Sequence, residues 1–179
     1  YIQAARSLPM ASEYIFICLD EHLKMFDFNK SLSNKIKNPK IISIKEVSEG
    51  QAITAEKGIS ICSDINHITI SACDHAVLYS KDKFEYLLEI VDSDIIVWIT
   101  RGHPGAIRNP EMYGWLECNG DLVTGVSVKN PLNDPSNDPI IIGTFTFKNK
   151  RIFNKCFDRL LSRKEKINNE YYIDSMIED

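Results

Sequence analysis

ITISACDHAVLY, residues 68–79, is the stretch whose reading decides the fold. A β-branched apolar run ends abruptly on Asp74, and a second apolar tract follows at once. Strands buried on both faces read as continuous apolar runs, and open α/β sheets bind their ligands at the carboxyl ends of such strands. If the flanking segments alternate strand with helix, Asp74 stands where a phosphorylated substrate and its metal would be met. Taken alone, it is explained as well by a turn or helix cap.

The flanks do alternate. YIFIC (14–18) is a short apolar run, and in LDEHLKMFDF behind it Leu19, Leu23 and Phe26 fall at helical spacing. KIISI (40–44) reads as the next strand after Asn38 and Pro39, and a helix from about Glu49 carries Ala52, Ala55 and Ile59 on one face. Beyond the HITISAC strand, KDKFEYLLEIV sets Phe84, Leu87, Leu88 and Val91 in an i, i+3, i+4, i+7 stripe, and IIVWIT (95–100) is the fourth strand. After Thr100 the pattern becomes β-rich. YGWLEC and LVTGVSV flank Asn119 and Gly120 as a hairpin, IIIGTFTF (140–147) is a further strand, and a helix from near Ile152 carries Phe153, Cys156, Phe157, Leu160 and Leu161. The order predicts an α/β domain with a mixed, mostly parallel sheet and a β-rich insertion.

With 179 residues, 44% hydrophobic and 26% charged, the chain suits one domain with a substantial core. A net charge of -4 leaves no basic surplus to displace counterions, so nucleic acid is not an expected partner. The five cysteines lie scattered without metal spacing and read as free thiols of a reducing cytoplasm. No apolar run approaches the roughly 20 residues that span a bilayer, and the opening YIQAARSLPM does not read as a signal peptide, so no membrane partner is expected. Hydrolase triads, zincins and P-loop chemistry have no foothold, because GxSxG, HExxH and GxxxxGK[ST] are missing.

Other segments offer candidates, each with a plainer rival. SEGQA (48–52) places Gly50 and Gln51 where a loop opens a helix, so its amides suit an anion or a base edge, or merely cap the helix. RGHPGAIRNPEMYG (101–114) follows a strand end and offers Arg101 and Arg108 to a substrate, or is a connector. Lys129 closes a strand as a point charge for phosphate, or is simply solvated. Asp174, in NNEYYIDSMIED, alone would be a solvated carboxylate, and His75 is either a donor to phosphate or a structural hydrogen-bonding residue.

In order, EGQA, ISACDHAVLY, DIIVWITRGHPGAIRNPEMYGWLECNGDLVTGVSVKNP, DPIIIGTFTFKN and INNEYYIDSMI resemble the sugar-phosphate nucleotidyltransferase (NDP-sugar pyrophosphorylase-like) family across nearly all of the chain. The ordered set carries the resemblance. It implies a GT-A-like three-layer α/β/α sandwich, a single nucleotidyltransferase domain over 1–179, and nucleotidyl transfer from a nucleoside triphosphate to a sugar 1-phosphate or similar metabolite. Pyrophosphate would be released, the reaction would need Mg²⁺, and the product would supply surface polysaccharide or capsule synthesis; a homo-oligomer is compatible. By the same resemblance Asp74 and Asp174 would bind Mg²⁺, Gly50 and Gln51 would hold the nucleobase, Gly114 would lie against the sugar, and Lys129 would grip its phosphate. In VSVKNP an Asn separates Lys129 from Pro131, where many relatives have lysine next to proline.

Family members begin with a strand and a Gly-rich GxGxRF loop, followed by a Pro-Lys pair, that cradles the triphosphate. YIQAARSLPM resembles the helix after that region. The chain is therefore expected to be a fragment, truncated at the amino end and at the carboxyl end, and inactive by itself. Two other readings stand beside this one. The first is a catalytically silent nucleotide-binding or regulatory member of the fold. The second is a GT-A glycosyltransferase, against which stands the missing DxD pair, since His75 and Ala76 follow Asp74.

Overall fold

The computed structural model describes residues 1–62 and 67–177; Glu178 and Asp179, which close the NNEYYIDSMIED segment, lie outside the described residues. After α1 (Ile2–Ser7), strand β1 (Tyr14–Leu19) pairs in parallel with β2 (Pro39–Ile44), Tyr14 opposite Pro39 and Leu19 opposite Ile44. Parallel strands need a crossover between them. Here it holds two short helices, α2 (Asp20–Met25) and α3 (Phe28–Ser33), the latter capped by Asp27, which accepts from the Lys30 amide. The helical stripe expected at Leu19, Leu23 and Phe26 is cut short, because Leu19 still belongs to β1 and Phe26 is exposed.

The second sheet contains β3 (Ile68–Ser71), β4 (Ile95–Thr100), β5 (Gly114–Asn119), β6 (Leu122–Val128) and β7 (Ile140–Phe147). β7 is its spine. Ile68 and Ile95 both pair with Phe147, from opposite sides, and Trp115 of β5 meets Ile140 at the other end of β7. The hairpin expected around Asn119 and Gly120 is β5–β6, with Gly114 opposite Val128.

The mostly parallel sheet that the alternating pattern predicts is not what forms. Each pairing in the five-stranded sheet is antiparallel, and the parallel pair is β1 with β2. β3 and β4 do run in the same direction, but β7 lies reversed between them. An apolar run such as IIIGTFTF buries equally well in either direction, so its pattern fixes that a strand exists and leaves its partner and direction open.

Helices cover both faces of this sheet. On one, Ala52, Ala55 and Ile59 of α4 (Gln51–Ser60) and Phe153, Cys156 and Leu160 of α7 (Lys150–Arg163) enclose Phe145 and Phe147, with Ile173 and Met176 closing the end. On the other, Phe84, Leu87 and Leu88 pack on Ile96 and Trp98, whose indole donates to Thr146 Oγ1 at 3.0 Å. The helix predicted over KDKFEYLLEIV is α-helical only over α5 (Lys81–Glu85) and continues as a π-helical turn, Tyr86–Ile90. The wider turn moves the stripe out of phase, which leaves Val91 exposed while Phe84, Leu87 and Leu88 stay packed.

Among the described residues β1 pairs only with β2, and β3 only with β7, so each keeps one open edge. Their carboxyl ends are neighbours: burial pushes the Cys18 thiol up, and nearby Cys73 adds to it. No helix among these residues is long and apolar enough to cross a membrane.

Candidate functional site

Gly50 opens α4 with φ +120°, in the region that suits glycine. The cause is a segment from the far end of the chain. The Tyr171 amide donates to the Glu49 carbonyl at 2.8 Å and the Ala52 amide to the Tyr171 carbonyl at 3.0 Å, so a Cβ on Gly50 would run into the Tyr171 backbone. Ser48 braces the same turn by donating to the Gly50 carbonyl at 2.9 Å.

Gln51 reaches from the start of α4 toward the main sheet, where its Nε2 lies 3.8 Å from the position a Gly143 Cβ would take. Gly143 has φ +67° inside β7, facing the stretch of β4 where the register shifts between Val97 and Ile99. Such a break re-aims the strands around it. The Ala72 amide donates to the Gly143 carbonyl at 3.2 Å and fixes the exit of β3. Two residues further on, the Asp74 side chain is 82% exposed, and its Oδ1 lies 3.0 Å from His75 Nδ1.

A second group forms at the base of the β5–β6 hairpin. Lys129 follows β6 with φ +59°, its amide donating to the Tyr113 carbonyl at 3.1 Å. Its ammonium donates to the Met112 carbonyl and stands 5.3 Å from the centre of the Tyr172 ring. A non-glycine residue held there carries strain of a kind that collects at functional sites. A hydrogen bond with Glu170, and then burial, push the Tyr172 hydroxyl up to about 12, so its ring stays neutral beneath the cation.

Asp174 begins a single turn, Asp174–Met176, and is 8% exposed. Its carboxylate fills the space a Gly114 side chain would need. Burial pushes the carboxyl up to about 6, against the opposing pull of the Lys129 ammonium and its own backbone amide.

Residues 171–174 stitch the two groups together, since Tyr171 is zipped to Glu49 and Ala52 on either side of Gly50 while Asp174 lies on Gly114 beside Lys129. Asp74 stands at the β3 exit, linked to this line through Ala72 and Gly143. Arg101 and Arg108 sit elsewhere: Arg101 donates to the Asn137 carbonyl at 2.6 Å, and Arg108, in α6 (Pro104–Arg108), donates to the Pro104 carbonyl at 3.3 Å. The same loop reaches the Lys129 group through the carbonyls of Met112 and Tyr113. Sequence reasoning passed over Gly143 and Tyr172. A glycine inside an apolar strand was the available sign for the first; the second had none.

Among the described residues no three His, Cys, Asp or Glu side chains gather as a metal site. No family model matches the sequence, and no curated protein matches it. Solved structures match it in fold. The nucleoside-diphosphate-sugar pyrophosphorylase from Vibrio cholerae RC9 superposes with a TM-score of 0.72 at 16% identity, over 98% of this chain and 72% of that one. UDP-glucose pyrophosphorylase complexed with UDP-glucose gives 0.62 at 15%, over 99% and 71%. The inositol-1-phosphate CTP transferase from T. maritima gives 0.60 at 12%, over 94% and 61%. The chain thus spans between 61% and 72% of the length of these three proteins. At such identities the likeness is one of architecture, and the chain has the α/β fold of NDP-sugar pyrophosphorylases and sugar-phosphate nucleotidyltransferases.

Proposed function

We propose that this fold serves nucleotidyl transfer from a nucleoside triphosphate to a sugar 1-phosphate or a similar phosphorylated metabolite, with release of pyrophosphate. The observation that carries the reading is the cluster of Asp174, Gly114 and Lys129: a buried carboxylate against a strand backbone, beside a lysine in a strained conformation. The names of the matching structures, which include a nucleoside-diphosphate-sugar pyrophosphorylase and an inositol-1-phosphate CTP transferase, support the same substrate classes.

The roles follow from charge. A phosphate oxygen attacks the α-phosphorus in line, so two anions must first be brought together. Lys129 would neutralise the sugar phosphate with the donors that its bond to the Met112 carbonyl leaves over, Gly114 would let the Asp174 carboxylate lie against main chain beside the sugar, and Gly50 and Gln51 would present amides to the base. The attacking phosphate is already ionised, so no protein nucleophile is needed.

The donors suit Mg²⁺, which takes hard oxygen ligands, commonly one or two carboxylates with phosphates and water beside them. Asp174 is a desolvated carboxyl of the kind a cation favours, and Asp74 has one oxygen paired with His75 and, among the described residues, no hydrogen bond to the other. These two residues would hold the ion, which when bound would screen the phosphates and offset charge on the leaving pyrophosphate.

The test is equilibrium binding of nucleoside triphosphates and sugar 1-phosphates in Mg²⁺, run beside a pyrophosphate-release assay. Binding that Lys129→Ala and Asp174→Asn weaken is expected. Any pyrophosphate release should require both ligands together and fall in the same two variants. A protein that binds neither ligand class overturns the reading.

A further inference from the structure

We infer that His75 is a positioning residue for Asp74: it holds one carboxylate oxygen so that the other is presented to a divalent cation. The inference rests on the reading of Asp74 as a cation ligand and adds a residue that reading does not use.

Asp74 is an exposed side chain at the end of a strand, and such a carboxylate turns broadly about its last torsion. His75 limits that freedom. Its Nδ1 lies 3.0 Å from Asp74 Oδ1, and no other hydrogen bond engages the Asp74 carboxylate among the described residues. The imidazole is itself anchored, being 37% exposed overall while its Nε2 is fully covered. Among the described residues that covered nitrogen has no hydrogen-bond partner, and the ring bonds through Nδ1. A carboxylate only accepts, which puts the bonding proton on Nδ1 and fixes the direction of the bond.

The arrangement therefore has a packed end, a donating end and a carboxylate whose Oδ2 is left open. Residues that hydrogen-bond a ligating carboxylate orient it, and losing one typically lowers metal affinity about 10- to 100-fold. A purely structural role would leave the donor dispensable and the ring volume essential. The inferred role makes the opposite demand.

Two substitutions separate the roles. His75→Phe keeps a planar ring in the same space and removes the donor, whereas His75→Asn removes the ring and keeps an N–H near the position of Nδ1. Mn²⁺ binding to the full chain at constant pH, followed by electron paramagnetic resonance with thermal unfolding alongside, reads the difference without turnover. His75→Phe is expected to weaken Mn²⁺ binding about 10-fold, His75→Asn to retain most of it, and Asp74→Ala to abolish it. Undiminished binding in His75→Phe, with loss in Asp74→Ala, overturns the role of His75 and leaves Asp74 as a ligand. Loss in His75→Asn with retention in His75→Phe assigns the histidine to packing and also overturns the inference. A wild-type chain with no saturable Mn²⁺ binding, or an Asp74→Ala variant that binds as wild type does, removes the reading of Asp74 and this inference with it.

Discussion

The Asp174 carboxylate occupies the volume that a side chain on Gly114 would fill, so the first residue of β5 and the Asp174–Met176 turn pack this closely because position 114 is glycine.

Gly114→Ala should therefore destabilise the fold by about 1–3 kcal/mol, the usual cost of forcing a methyl group into a packed site. Combining it with Asp174→Ala should recover at least about 1 kcal/mol relative to the sum of the single changes, because the clashing partner is gone. Urea unfolding of the four proteins measures the coupling, and strict additivity would show that the two residues do not meet.

Asp174 predicts a pH dependence with a definite sign. Its carboxyl titrates at about 6 in the fold against an ordinary 3.8, so the folded state binds that proton more tightly than the unfolded chain does. The stabilisation is fully present below about pH 4 and is lost as the pH rises through about 6. A shift of about two units corresponds to roughly 3 kcal/mol as an upper bound. In metal-free buffer Asp174→Asn should match wild type at pH 4 and exceed it at pH 7; melting curves that stay parallel across this range would refute the assignment.

Much of this was legible in sequence, though unevenly. The apolar runs at Ile95–Thr100 and Ile140–Phe147 became strands over those same residues, and the face of Ala52, Ala55 and Ile59 became the buried face of α4. Strand direction was not legible, because burial does not record which way a chain runs. Asp174 and Gly114 could be named through the resemblance, but their contact joins residues 60 positions apart and has no local signature. The Gly143 break had one, a glycine within an apolar run, and it was read as ordinary strand.

Lys129 separates strain from charge. Lys129→Gly relieves a left-handed backbone and Lys129→Ala does not, so the glycine variant should be the more stable by about 1 kcal/mol in chemical unfolding. Both variants remove the ammonium that draws the Asp174 carboxyl down, so that group should titrate higher in each. An unmoved Asp174 titration, followed by carbon-detected NMR, would place Lys129 too far away to matter.

Thr146 offers a test of the opposite layer. Its hydroxyl receives the Trp98 indole N–H at 3.0 Å and lies 2.9 Å from the Thr69 hydroxyl. Thr146→Val keeps the shape and leaves a buried donor unmet, at a cost of about 1–3 kcal/mol. Thr146→Ser should cost less and preserve the tryptophan fluorescence maximum. Equal losses in both would mean that packing, and not the hydrogen bond, holds the indole.

The open edges of β1 and β3 have a consequence for handling the protein. YIFICL and ITIS contain no lysine or proline, whereas β2 begins with Pro39 and Lys40. Lysine and proline are residues with which exposed strand edges are commonly blunted. Colloidal stability is accordingly governed by main chain as much as by surface charge: any extended apolar peptide, including one from another copy caught while unfolding, meets two ready templates there. A charged residue placed in either strand would guard the solution by making such pairing costly.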